Sequence, residues 1–173
     1  MKLYEYECKE IVSRYGILIP RGQTVSNPEE ALRVASELGA VVLKAQVLVG
    51  GRGLAGGVKI AEKPEDAYSI AEKLFSTDIR GEKVEKLLAE EKVNITKELY
   101  LSLTVDRAAR RPVYLVSEMG GIEIEELAKK YPEKIHKIYV DPAVGYTDYI
   151  AREAIQALKL TWTFLQDIVN ITR

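Results

Sequence analysis

The chain has 173 residues, enough for one domain or one and a half, and enough to bury roughly 70% of the surface that an extended chain exposes. Its 25 lysines and arginines stand against 26 aspartates and glutamates, so no global field draws it to nucleic acid or to an anionic membrane, and any anion site must be local. A single cysteine, Cys8, excludes an internal disulfide framework; with no signal peptide at the start and no apolar run near about 18 residues, a soluble, cytoplasmic protein is expected.

Tyr4, Cys8, Ile11, Val12 and Tyr15 recur at helical spacing, which predicts an amphipathic first helix that Gly16 can cap. A short strand is expected at Ile17 to Ile19, ending at Pro20. Ser26 or Asn27 then caps a second helix with Pro28 at its first position and Glu29 and Glu30 in its first turn, and Gly39 closes it. Pro64 opens a third helix, striped by Ala67, Ile70, Ala71 and Leu74. Thr77 to Lys83 reads as polar linker. Val84 to Glu91 reads as a strand ending in two carboxylates, and Leu99 to Val105 alternates into a hairpin that returns as Val113 to Met119. The hairpin tip carries Arg107, Arg110 and Arg111, read as a solvated basic turn. A helix follows from about Ile122 to Lys130, then a strand from Ile135 to Val140. One long helix is expected over Ile150, Ala154, Leu158, Trp162, Leu165 and Val169, with Trp162 in the core; it reaches Arg173 with neither glycine cap nor proline stop, so the chain reads as cut there.

The stretch that carries chemistry is Val41 to Ile60, VVLKAQVLVGGRGLAGGVKI. It reads as a strand, a glycine loop and a return strand. By the period-2 rule Lys44 and Gln46 share the face opposite Val41, Leu43 and Ala45. Glycines let backbone N–H groups approach a ligand with no Cβ to hold it off, and successive N–H groups of this kind form an anion cradle. Gly51, Gly53 and Gly56 spell the dinucleotide fingerprint, but that mechanism needs a helix after the glycines, and Val58-Lys59-Ile60 continues as a strand. A P-loop needs Gly-Lys-Ser/Thr, which is missing. What remains is a glycine hairpin that folds over nucleotide phosphates as a lid, as the kinase loop does, in a chain that has neither kinase catalytic motif.

MKLYEYECKEIVSRYGILIPRG, VVLKAQVLVGGRGLAGGVK, ITKELYLSLTVDRAARRPVYLVSEMGGIEIE and IHKIYVDP closely resemble the succinyl-CoA synthetase beta-subunit family of ATP-grasp enzymes. The likeness runs through nearly the whole chain and weakens in TWTFLQDIVNITR. It implies an α+β ATP-grasp fold of antiparallel sheets with flanking helices, of which this chain is the N-terminal portion, with a small lid subdomain at about 21–96. The rest of the ATP-grasp domain and a flavodoxin-like domain are expected beyond residue 173. In this family Lys44 would contact the phosphates of ATP, Gly51, Arg52 and Gly53 would lie over them, and Glu90, Val93 (through its backbone) and Glu98 would be the further nucleotide contacts. The reaction implied is the reversible formation of succinyl-CoA from succinate and CoA, with ATP going to ADP and phosphate through a phosphohistidine on a partner alpha subunit. Mg2+ ligands are expected beyond residue 173, so no metal or catalytic residue is assigned here. His136, the only histidine, is set aside as a phosphohistidine, since that residue belongs to the alpha subunit. Malate- or acetate-specific CoA ligases share this half, and a non-catalytic nucleotide-binding module is a rival from another class.

Overall fold

The computed structural model describes residues 2–173, which form two compact units divided between Asn94 and Ile95. In the first unit the sequence alternates α1 (Glu5–Arg14), β1 (Gly22–Val25), α2 (Pro28–Leu38), β2 (Val41–Ala45), β3 (Val58–Ala61), α3 (Pro64–Phe75), the short strands β4 (Asp78–Ile79) and β5 (Glu82–Lys83), and β6 (Leu87–Glu91). Strands β1, β6, β2 and β3 lie in that order in one antiparallel sheet. Val41, Leu43 and Ala45 are fully buried with Leu87 and Ala89 on the face covered by α2 and α3, where Val34, Ala35, Ala67, Ala71 and Leu74 complete the core. Residues that pair across antiparallel strands point to the same side. The register Val42↔Glu90 and Lys44↔Leu88 therefore puts Lys44 and Glu90 together on the sheet's other face.

Helix α2 begins as its sequence dictates. Asn27 accepts from Glu30 N–H at 2.8 Å, while the Glu30 carboxylate accepts from Ser26 N–H at 2.7 Å, so two otherwise orphaned donors are satisfied reciprocally. Removing a cap of this type costs about 1 kcal/mol. Asn27→Ala is therefore expected to lower the stability of the first unit by that amount in a denaturant titration, with Asn27→Asp close to neutral.

Two expectations for this unit are corrected. Ile17 to Ile19 is not a strand: Leu18 is 97% exposed, and the strand forms instead at Gly22–Val25, where a glycine lets two backbones close together. Thr77 to Lys83 is not a featureless linker. Arg80 and Gly81 both take positive φ (51° and 87°), the geometry of a two-residue hairpin turn, and this pairs β4 with β5 and buries Ile79 completely.

The second unit contains β7 (Tyr100–Asp106), β8 (Arg111–Ser117), α4 (Ile124–Lys130), a 3-10 turn at Pro132–Lys134, β9 (His136–Tyr139), α5 (Asp148–Ala157), a second 3-10 turn at Trp162–Phe164, and α6 (Leu165–Thr172). Its antiparallel sheet has the order β7, β8, β9. Val116 and Ile138 pack against Ile150, Ala154, Ile155 and Leu158 of α5 and Ile168 and Val169 of α6. The expected single long helix is two. Lys159 takes φ +53° and Leu160 N–H donates back to Ile155 C=O at 3.0 Å, a left-handed helix stop that is usually given to glycine. Trp162 then lies in the connecting turn, 63% exposed, not in the core. On β7 only part of the row Leu99, Leu101, Leu103, Val105 faces the core: Leu101 packs against it, while Leu103 and Val105 are 59% and 62% exposed.

Two carboxylates in this unit are strongly depressed. Hydrogen bonds from Lys159 (2.9 Å) and Lys134 (3.1 Å) hold Glu118 at a pKa of about 2. The Ala109 backbone N–H, then Tyr139 and Lys137, hold Asp106 at about 2. A folded-state pKa below the unfolded value gives stability that is complete above the unfolded value and is lost as pH falls through the folded one. The second unit is thus expected to keep a constant melting temperature from pH 7 to about 5 and to lose it progressively towards pH 2. Calorimetric melts across that range check this.

Candidate functional site

On the sheet face opposite the core of the first unit, five charged side chains meet. Glu90 is buried, 2% exposed. Its two carboxylate oxygens accept from Lys9 Nζ and, at 2.8 Å, from Lys44 Nζ. Glu5 accepts from Lys9 at 3.1 Å and from Lys44 at 3.2 Å through Oε1, and from Arg52 Nη2 through Oε2. Arg52 also donates to Ala45 C=O at 3.3 Å. Each group arrives for a separate reason: Lys44 and Glu90 by strand register, Arg52 from the glycine loop, and Glu5 and Lys9 from neighbouring turns of α1 at i, i+4.

Three cations against two carboxylates leave a local excess of one positive charge in a half-buried setting. Burial alone would push the Glu5 carboxyl up, but Arg52, then Lys44 and Lys9, outweigh it and hold it below the ordinary carboxylate value. Burial would likewise lower the Lys44 ammonium, and the hydrogen bond to Glu90 with the charges of Glu5 and Glu90 raises it instead. Both groups are fully ionised at neutral pH, so an incoming anion meets charged partners and not a neutral amine.

The loop between β2 and β3 closes on itself in its second half. Ala55 N–H donates to Gly51 C=O at 3.0 Å, Gly56 to Gly53 at 3.1 Å, and Gly57 to Arg52 at 2.8 Å. The four preceding N–H groups, of Gly51, Arg52, Gly53 and Leu54, have no hydrogen-bond acceptor among the described residues. Gly51 has φ +72°, a conformation that glycine adopts without strain. A run of unsatisfied N–H groups beside an arginine and a lysine can hold a phosphate.

Of the residues expected from the sequence, the structure brings Lys44, Arg52 and Glu90 into one network, with Gly51 and Gly53 in the loop that carries Arg52. Val93 lies past the end of β6, about half exposed and outside the network. Glu98 belongs to the second unit, where its carboxylate rests against the Gly120–Gly121 turn so closely that a Cβ on Gly121 would meet Oε2 at 2.3 Å. Glu5 and Lys9 were not expected. Their i, i+4 spacing was visible, but as a surface pair that α1 could have formed alone.

Residues 2–173 match the ATP-grasp domain family. The chain is 58% identical to a protein of Desulfurococcus amylolyticus named succinate–CoA ligase [ADP-forming] subunit beta, over 100% of this chain and 46% of that protein. It is 48% identical to a Thermus thermophilus protein named succinate–CoA ligase [GDP-forming] subunit beta, over 90% of this chain and 42% of the relative. The chain thus spans a little under half the length of these curated relatives. Among solved structures, a dinucleotide-forming acetyl-coenzyme A synthetase of Ca. Korarchaeum cryptofilum, in complex with coenzyme A and Ca-AMPCP, superposes with a TM-score of 0.71 over 90% of this chain and 66% of that one; at 23% identity this is a likeness of fold. With both units matched along one domain family and their antiparallel sheets flanked by helices, the chain belongs to the ATP-grasp domain family.

Proposed function

We propose that the chain is the nucleotide-binding part of a succinyl-CoA synthetase beta subunit, and that the network on the first unit is its phosphate site. The observation that carries this is the convergence of Lys44 and Arg52 beside a loop whose N–H groups at Gly51, Arg52 and Gly53 are free to donate to an anion. In this reading residues 21–96 act as the lid over ATP. Glu90 fixes the Lys44 ammonium, and Val93 and Glu98 remain nucleotide contacts on the resemblance alone. The likeness to a relative named succinate–CoA ligase [ADP-forming] subunit beta supports an alpha-subunit partner and a reversible reaction of succinate, CoA and ATP giving succinyl-CoA, ADP and phosphate; a cytoplasmic setting belongs to the same reading. No helix among the described residues is long and apolar enough to cross a membrane.

Mg2+ accompanies ATP in such chemistry, where it neutralises the phosphates. Among the described residues no group of three or more His, Cys, Asp or Glu side chains can hold a metal ion. Glu5 and Glu90 are already taken by three cations. These residues do not fit a metal centre, and what the chain itself contributes is orientation and charge.

Calorimetric titration of the protein with ADP is the direct test: binding that weakens with added salt is expected, and no heat at millimolar ADP would remove the reading. Gly53→Val sharpens the test. A Cβ at Gly53 meets nothing within 4 Å, so the variant should fold and melt as the parent does. Its ADP affinity should still fall on the order of tenfold, because a β-branched side chain then stands where a phosphate must approach the backbone.

A further inference from the structure

Helix α1 has no buried residue. Its seat on the sheet is polar: Tyr6 N–H donates to Gln46 Oε1 at 3.2 Å, Lys86 stands 5.4 Å from the centre of the Tyr6 ring, and Glu5 and Lys9 enter the ion network. A helix held by charge and not by apolar burial is among the easiest elements to displace. Glu5 sits at its first position and engages Arg52 and Lys44, the same two cations that the proposed function gives to phosphate.

We propose that Glu5 is an internal counter-ion that a nucleotide phosphate replaces: in the free protein its carboxylate occupies Arg52 and Lys44, and binding exchanges it for phosphate and releases the first turn of α1. The inference rests on reading Lys44 and Arg52 as phosphate ligands. The two carboxylates of the network are not equivalent in this respect. Glu90 is buried on a central strand and touches Lys9 and Lys44 but not Arg52, so it stays in place and keeps Lys44 aimed. Glu5 is partly accessible and belongs to an element that can move. Its presence also gives Arg52 and Lys44 a carboxylate partner when no ligand is bound, which steadies the glycine loop at the cost of affinity. Glu5 is thus a positioning residue for Arg52 and a competitor for the ligand.

A purely structural role and a counter-ion role predict opposite signs. Glu5→Gln keeps the size and hydrogen-bonding capacity of the side chain but removes the competing charge. Titrated with ADP at low salt, the variant should bind about tenfold more tightly than the parent, although its melting temperature falls. Glu37→Gln, which removes an equal charge from the exposed side of α2, should bind as the parent does. Unchanged or weaker binding by Glu5→Gln, in a parent that binds ADP, overturns the Glu5 assignment and leaves the phosphate site standing. Absence of ADP binding in both proteins overturns both. Hydrogen exchange on the parent gives a second reading that needs no variant. Saturating ADP should speed exchange of the Cys8 amide, which donates to Tyr4 C=O at 3.0 Å, while slowing it at Gly51 to Gly53. Slower or unaltered exchange at Cys8 overturns the release of α1.

Discussion

Gly22→Val is expected to destabilise the first unit by about 3 kcal/mol, at the upper end of the usual cost of overpacking, and to abolish ADP binding with it. A Cβ placed on Gly22 would lie 2.3 Å from Ala89 C=O and 2.8 Å from Glu90 Cα. Both atoms are backbone of the central strand β6, so no side-chain rotation relieves the clash. The register Gly22↔Glu90, Gln23↔Ala89, Thr24↔Leu88, Val25↔Leu87 would have to open at its first pair. Opening it withdraws Val25 from the core and removes the strand that flanks Glu90. Gly22→Ala already carries the offending atom and should show most of the loss. A guanidinium titration followed by circular dichroism checks this, with Gly53→Val as the control that adds the same side chain into open space. Equal melting of Gly22→Val and the parent would mean that β1 does not approach β6 as closely as the structure shows.

Gly22 also marks where the sequence was hard to read. The apolar run Ile17 to Ile19 looks more like a strand than GQTV does, because propensity rewards β-branched residues and penalises glycine. Close backbone approach won. Strand β1 needs a residue without a side chain beside Glu90, and the apolar run stays exposed as the approach to it. The helix break at Lys159 was illegible for a related reason. No glycine or proline signals it, and the spacing of Ile150, Ala154, Leu158, Trp162 and Leu165 continues a helical stripe across it. Only the tertiary packing of α6 back onto α5 compensates the left-handed conformation of a lysine. Local signals did carry the elements whose cause is local: the Asn27 cap, Pro28 and Pro64 at helix starts, and the hairpin that alternates around the glycine loop.

The site divides in the same way. Lys44 could be placed from sequence because the period-2 rule puts it on the face away from Val41, Leu43 and Ala45, six residues before the first loop glycine. Glu90 was weaker as a sequence signal, since paired carboxylates at a strand end are usually solvated; burial and the register with Val42 give it its role. Glu5 and Lys9 depend on α1 meeting residues of β2 and β6, which lie some 30 to 85 residues further along the chain, in keeping with the general rule that non-local pairing leaves no trace in local spacing.

Lys44→Ala is expected to lower ADP affinity between about tenfold and a hundredfold, the equivalent of losing one charge-assisted contact of about 1.5 to 3 kcal/mol. The direction follows from the charge count. Three cations and two carboxylates become two and two, so the local excess of positive charge that favours an anion disappears, and Glu90 is left with Lys9 as its single cation. Melting temperature should fall as well, because Lys44 bridges Glu5 and Glu90. The affinity loss must therefore be measured well below the melting transition. Lys44→Arg should recover part of the affinity by restoring the charge, but not all of it, since a planar guanidinium does not occupy the point where one ammonium meets two carboxylates. Lys59→Ala, an exposed residue of the neighbouring strand β3 that pairs with Leu43 and so lies on the opposite sheet face from the network, removes the same charge and should leave the dissociation constant unchanged. If Lys59→Ala weakened ADP as much as Lys44→Ala, the attraction would be a property of the whole basic surface; if neither did, Lys44 would be a structural bridge between two carboxylates, and the phosphate would have to be sought away from this face of the sheet.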